Sequence, residues 1–135
     1  MKTNKSVLLS ILIISVLGLV VFLINWNRKF EAPRQNTPII EFTIRKDTTL
    51  EAVISDLAYY HFIKDEKAFK FALKRSKDMS TGRDGSLIIG RNTINREAKY
   101  MISQSMTVWE IADVLLNQGE YSSCEHGCPN SNFSP

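Results

Sequence analysis

The sequence predicts an α+β protein: a single N-terminal transmembrane helix followed by a small domain built from two strand-turn-helix units. Three observations predict it. Ser6 to Ile24, SVLLSILIISVLGLVVFLI, is a run of 19 residues without a charge, about the length that crosses a bilayer core. Ile40, Phe42 and Ile44 alternate as in a half-buried strand. Leu50, Val53, Ile54 and Leu57 then fall at i, i+3, i+4 and i+7, one apolar face of a helix. The same order of strand, turn and stripe returns 58 residues later, where Phe42 aligns with Tyr100, Ile44 with Ile102, Thr49 with Thr107, Val53 with Ile111 and Leu57 with Leu115.

Taken in order, residues 1–5 form a short cytoplasmic end and 6–24 the membrane helix. A cleaved signal peptide has a shorter apolar region of roughly 7 to 15 residues ending at small residues. Here the run ends in Asn25-Trp26-Asn27-Arg28-Lys29, with Trp26 where interfacial aromatics belong, so an uncleaved anchor is expected. Lys2 and Lys5 on one side balance Arg28, Lys29 and Arg34 on the other, so charge does not set orientation. The short leader and the large C-terminal part favour a single pass through the cell inner (cytoplasmic) membrane, with the domain outside. Residues 25–38, with EAPRQNTP at their end, read as a juxtamembrane spacer, 39–120 as the domain and 121–135 as a flexible tail.

Within the domain, Thr48 and Glu51 have the spacing of a capping box at the first helix, and Thr107 and Glu110 at the second, one residue out of register with it. Asp65 can cap a helix from Glu66 to about Lys77 that turns Phe69, Ala72 and Leu73 inward. Lys67, Lys70, Lys74 and Lys77 share its other face, which reads as solvated. Met79 to Glu97 reads as a long loop with room for one short strand at Leu87-Ile88-Ile89.

The net charge of +3 invites a nucleic-acid reading. Four of the 17 basic residues flank the membrane helix, however, while all 14 acids lie from Phe30 onward. The domain is therefore close to neutral, and no nucleic-acid partner is expected. Glu110 and Asp113, three residues apart beside Trp109, resemble a carboxylate pair for acid–base work. The capping box accounts for Glu110, and Asp113 lies off the apolar stripe. In the tail, Cys124 and Cys128 with His126 between them give three soft ligands where a closed metal site needs about four. A local disulfide suits an extracellular position, and two free thiols are the other reading. His61 has no partner spacing, so neither a metal nor a cofactor is expected.

Two segments together resemble a known family: FTIRKDTTLEAVISDLAYYHFIKDEKAF, Phe42 to Phe69, and AKYMISQSMTVWEIADVLLNQGE, Ala98 to Glu120. They are similar to the region before the catalytic domain in the YceG-like (MltG) endolytic murein transglycosylases. The similarity covers residues 1 to about 120 and lies in Ile44 to Leu57, in Phe62-Ile63-Lys64-Asp65 to Phe69, and in Tyr100-x-Ile102 through Met106-Thr107-x-x-Glu110-Ile111 to Leu115-x-x-x-Gly119-Glu120. Asp47, Ser105 and Ala98 stand where the family usually has glycine. The resemblance implies a LysM-like domain behind a membrane anchor. It also implies that the family's catalytic Glu lies in a domain beyond the position where this sequence stops.

The resulting expectation is a membrane-anchored, non-catalytic, cell-wall-associated module that binds peptidoglycan or wall-synthesis partners, with Tyr59, Tyr60, His61 and Trp109 as candidate glycan- or partner-binding residues. The alternatives are part of a membrane-bound lytic transglycosylase that cleaves peptidoglycan, and a bitopic protein-interaction module.

Overall fold

Nothing between Lys5 and Arg28 breaks a helix, and the computed structural model, which describes residues 5–80 and 85–121, has one continuous helix there. This helix, α1 (Lys5–Arg28), has 24 residues, buries none of its side chains, and is long and apolar enough to cross a membrane. Its length of about 36 Å exceeds the roughly 30 Å of a hydrocarbon core.

The rest is α+β. Strand β1 (Ile40–Thr43) leads into α2 (Leu50–Tyr59) and α3 (Glu66–Arg75). A hairpin of β2 (Leu87–Ile89) and β3 (Asn92–Ile94) follows, then β4 (Ala98–Ile102), α4 (Val108–Asn117) and β5 (Glu120–Tyr121). The main sheet has the order β1-β4-β5 and is antiparallel throughout. Phe42 lies opposite Tyr100 in it, so two residues that the internal repeat equates are also strand partners. Alternation works as a pleated strand requires: Ala98, Tyr100 and Ile102 of β4 point into the core, while Met101 faces out. Val53, Ile54 and Leu57 of α2, Phe69 and Leu73 of α3, and Ile111 and Leu115 of α4 cover that face.

The two helices of the repeat have the same length and begin 58 residues apart, at Leu50 and Val108. The cap of the first is Thr49, not Thr48, and this corrects the expected box. Thr49 takes the extended conformation that lets its hydroxyl accept from Ala52 N–H at 3.2 Å. Ala52 stands at the third helical position and cannot reach back. Glu51 sits one residue too early and pairs with Lys70 of α3 at 2.6 Å instead. At α4 the box is complete: Glu110 N–H donates to the Thr107 hydroxyl, and the Glu110 carboxylate accepts from Thr107 N–H at 2.6 Å. The two caps, Thr49 and Thr107, are thus in register.

Within residues 25–38, expected as a spacer, several groups make contacts with the domain. Residues 25–28 continue α1, Phe30 is buried in the core, and its carbonyl accepts from Val108 N–H at 3.0 Å. Arg34 N–H donates to Gln104 O at 3.1 Å, and Ser103, itself buried, donates to Thr37 O at 2.9 Å. A buried aromatic ring and satisfied backbone groups tie this proline-containing polar stretch to the domain.

The expected long loop contains a hairpin. Gly90 has a φ of +66° at the first of the two loop positions between β2 and β3, where glycine carries no Cβ penalty. Asn92 is buried and donates from Nδ2 to Leu73 O and Ser76 O at 2.6 and 2.7 Å, closing the C-terminal end of α3. Asp78 accepts from Ser80 and Thr93, backbone and hydroxyl in each case, at 2.7–3.1 Å. The exit from α3 is thereby tied to β3.

Candidate functional site

Tyr59 and Tyr60 end α2, and both stand out from the surface at 78% and 57% exposure. Their rings meet edge to face at 5.1 Å. The backbone beneath them is firmly held. Phe62 N–H donates to Leu57 O at 2.8 Å and His61 N–H to Ala58 O at 3.1 Å, the paired bonds of a Schellman motif. Phe62 and Leu57 are both buried, which supplies the motif's hydrophobic contact. Its left-handed position is filled by His61, φ 58°, where glycine is usual. From the β4–α4 turn, Gln104 Nε2 donates to Tyr60 O at 2.7 Å.

Upstream of the tyrosines an open groove of about 520 Å³ follows the junction of β1 and α2. Phe42, Ile44 and Val53 form its apolar floor, and Arg45, Asp47 and Asp56 stand among its polar walls. On α2, Ala52, Asp56 and Tyr59 follow one another at i, i+4 and i+7, so Tyr59 lies on the same helix face as the two groove residues, although neither tyrosine lines the groove itself. The sequence reading named the tyrosines but missed the groove. Its signal was the strand-turn-helix junction of the first repeat copy, where a turn leaves space between strand end and helix start.

Trp109 belongs elsewhere, which separates the four residues grouped from sequence. Its ring stacks on Phe30 at 5.4 Å and 15°, and meets Phe71 of α3 edge-on at 6.1 Å. It sits beside the end of α1 and is not a fourth member of the tyrosine group. A second open groove next to it, about 430 Å³, is lined by Met106, Trp109, Glu110, Asp113, Val114 and Gln118. Glu110 is engaged in the capping box, and Asp113 accepts from Asn117 at 2.8 Å and Gln118 at 3.1 Å.

Among the described residues two carboxylates are displaced from their ordinary pKa, and both move down. Asp65 is lowered first by Ala68 N–H, which it caps at 2.8 Å, with burial opposing and the bond and charge of Lys29 assisting. At Asp78 burial pushes upward, but the bonds from Ser80 and Thr93 outweigh it and hold the carboxyl below the usual range. Among the described residues no three His, Cys, Asp or Glu side chains come together to hold a metal. Cys124 and Cys128, proposed from sequence as a disulfide, lie outside the described residues.

No family model matches this chain, and no curated protein or solved structure is significantly similar to it. The arrangement itself is therefore what bears on function: an exposed tyrosine pair at the end of α2, and an open groove along the β1–α2 junction.

Proposed function

We propose that this chain is a membrane-anchored, non-catalytic cell-wall module, with α1 crossing the cytoplasmic membrane and a LysM-like domain outside that holds peptidoglycan glycan strands. The observation that carries this reading is the exposed Tyr59–Tyr60 pair at the C-terminal end of α2, the helix that also walls the β1–α2 groove. A sugar ring has an apolar C–H face and a rim of hydroxyls. The exposed tyrosine rings and the partly exposed Phe42 suit the first, and Arg45, Asp47 and Asp56 suit the second. The order of β1, then α2 and α3, then β4 paired antiparallel to β1 supports the LysM-like assignment.

The test is a pull-down of the full-length chain, in mild detergent, on purified peptidoglycan sacculi. Retention is expected, with no release of anhydro-muropeptides. The double variant Tyr59→Ala/Tyr60→Ala should lose most of that retention, at about 1–3 kcal/mol for the stacking surface removed. Release of anhydro-muropeptides would overturn the non-catalytic reading. Absence of retention by the unaltered chain would remove glycan as the ligand and favour a protein partner.

A further inference from the structure

Trp26, Phe71 and Trp109 come from three different elements and meet on one stretch of surface beside the end of α1. The contacts run without a gap. Phe22 stacks on Trp26 at 6.2 Å, Trp26 approaches Phe30 at 6.0 Å, and Phe30 is flanked by Trp109 at 5.4 Å and Phe71 at 6.1 Å. Phe30 is buried by this arrangement, whereas Trp26, Phe71 and Trp109 remain 44%, 40% and 40% exposed. Three large rings left open side by side form a patch that a water-facing domain has no packing reason to display.

Cations accompany the rings. The Lys29 ammonium lies 5.8 Å from the Trp26 ring and the Arg75 guanidinium 5.5 Å from Phe71. Lys67 and Lys74 are exposed one turn to either side of Phe71 on α3. Glu110 and Asp113 border the patch on α4, and both carboxylates are already engaged by hydrogen bonds within their own helix region. Aromatic rings with apolar bodies, mixed with basic groups, match the headgroup layer of a bilayer. Phe30 is at most about 9 Å along the helix axis from Ile24, the last residue of the apolar run, and the polar layer that begins there is roughly 5–7 Å thick, so the patch stands at its outer edge, where a tilt of α1 brings it into the layer.

We propose that the α3–α4 face of the domain rests on the bilayer surface, with Trp109 and Phe71 extending the aromatic belt that Trp26 begins and the basic groups of α3 facing lipid phosphates. The proposal rests on the reading of α1 as a membrane span. It makes the bilayer a docking partner of the folded domain as well as of the anchor, and fixes the domain's orientation on the membrane.

The chain has two tryptophans, so Trp26→Phe leaves Trp109 as the only indole and Trp109→Phe leaves Trp26. Each full-length variant is reconstituted into vesicles of phosphatidylcholine and phosphatidylglycerol, with acyl chains either plain or brominated near the glycerol. Both indoles should lose a comparable fraction of their emission to the brominated lipid. Exchanging phosphatidylglycerol for phosphatidylcholine should weaken the loss at Trp109 and leave that at Trp26 unchanged. Quenching of Trp26 with Trp109 unquenched and open to aqueous iodide would overturn the proposal while sparing the membrane span. Failure to quench either would overturn the span and the proposal together. Quenching of Trp109 that ignores lipid charge would overturn the role given to the basic groups.

Discussion

A methyl group added at Gly119 would lie 3.0 Å from Cε1 of Tyr100 and 3.2 Å from its hydroxyl oxygen. That ring is fully buried, and its hydroxyl is committed to Asn95 O at 2.7 Å, so it cannot swing away. Gly119→Ala should therefore destabilise the domain by about 1–3 kcal/mol through overpacking. Chemical denaturation followed by far-UV circular dichroism measures it, and an unchanged midpoint would sink the explanation. Asp78 gives a second expectation at this scale. Its folded pKa lies below the unfolded one, so its contribution is present in full above the ordinary aspartate range and is lost as pH falls through the folded value. Stability should decline below about pH 4, and the decline should be shallower in Asp78→Asn. Melting temperatures between pH 3 and 6 test this, and parallel acid limbs for the two proteins would refute it. Both residues were visible in the sequence, but only as a glycine near a helix end and an aspartate in a loop. The partners that give them their roles, Tyr100 and Thr93, are 19 and 15 positions away.

Between elements, the two repeat copies differ in how their helices start. Thr107 and Glu110 satisfy two backbone N–H groups at α4, whereas Thr49 satisfies one at α2. Thr107→Ala and Thr49→Ala should each cost about 1 kcal/mol, while Thr48→Ala should stay within about 0.5 kcal/mol. Urea midpoints of the three variants separate the caps, and a Thr48 effect as large as that of Thr49 would overturn the assignment. Adjacent threonines gave the sequence two conflicting signals: spacing to Glu51 favours Thr48, while the repeat alignment with Thr107 favours Thr49, and the backbone conformation decides for Thr49. Asp65 met no such competition: it caps α3 directly, and one long-range contact, with Lys29, is added to it. The β2–β3 hairpin was only half legible. Leu87-Ile88-Ile89 announces a strand, but its partner Asn92-Thr93-Ile94 is polar at two of three positions and is recruited by Leu73, Ser76 and Asp78.

For the molecule as a whole, the decisive contact is the one that joins α1 to the domain. The ion pairs Lys29–Asp65 at 3.2 Å and Lys64–Glu31 at 3.6 Å are solvent-exposed and contribute about 0–1 kcal/mol each. Burial of Phe30 contributes about 1.5–3 kcal/mol, so it and the Val108 N–H bond to its carbonyl dominate. Phe30 follows Phe22 and Trp26 at a spacing of four, but that its ring turns into the domain core depends on Phe71 and Trp109, far along the chain, and could not be read in advance. The elements themselves behaved differently. The uncharged run of α1, the alternation of β4 and the apolar stripes of α2, α3 and α4 each follow from neighbours one turn or two residues away. By itself the sequence determined a long apolar helix, an α+β domain and a repeated strand-turn-helix unit, because helix and strand periods are local. Only the tertiary structure decided that Phe30 is buried in the core, that Trp109 stacks on it apart from Tyr59 and Tyr60, and that a groove opens between β1 and α2. Each of these depends on which faces meet, and that is settled by packing between residues far apart along the chain.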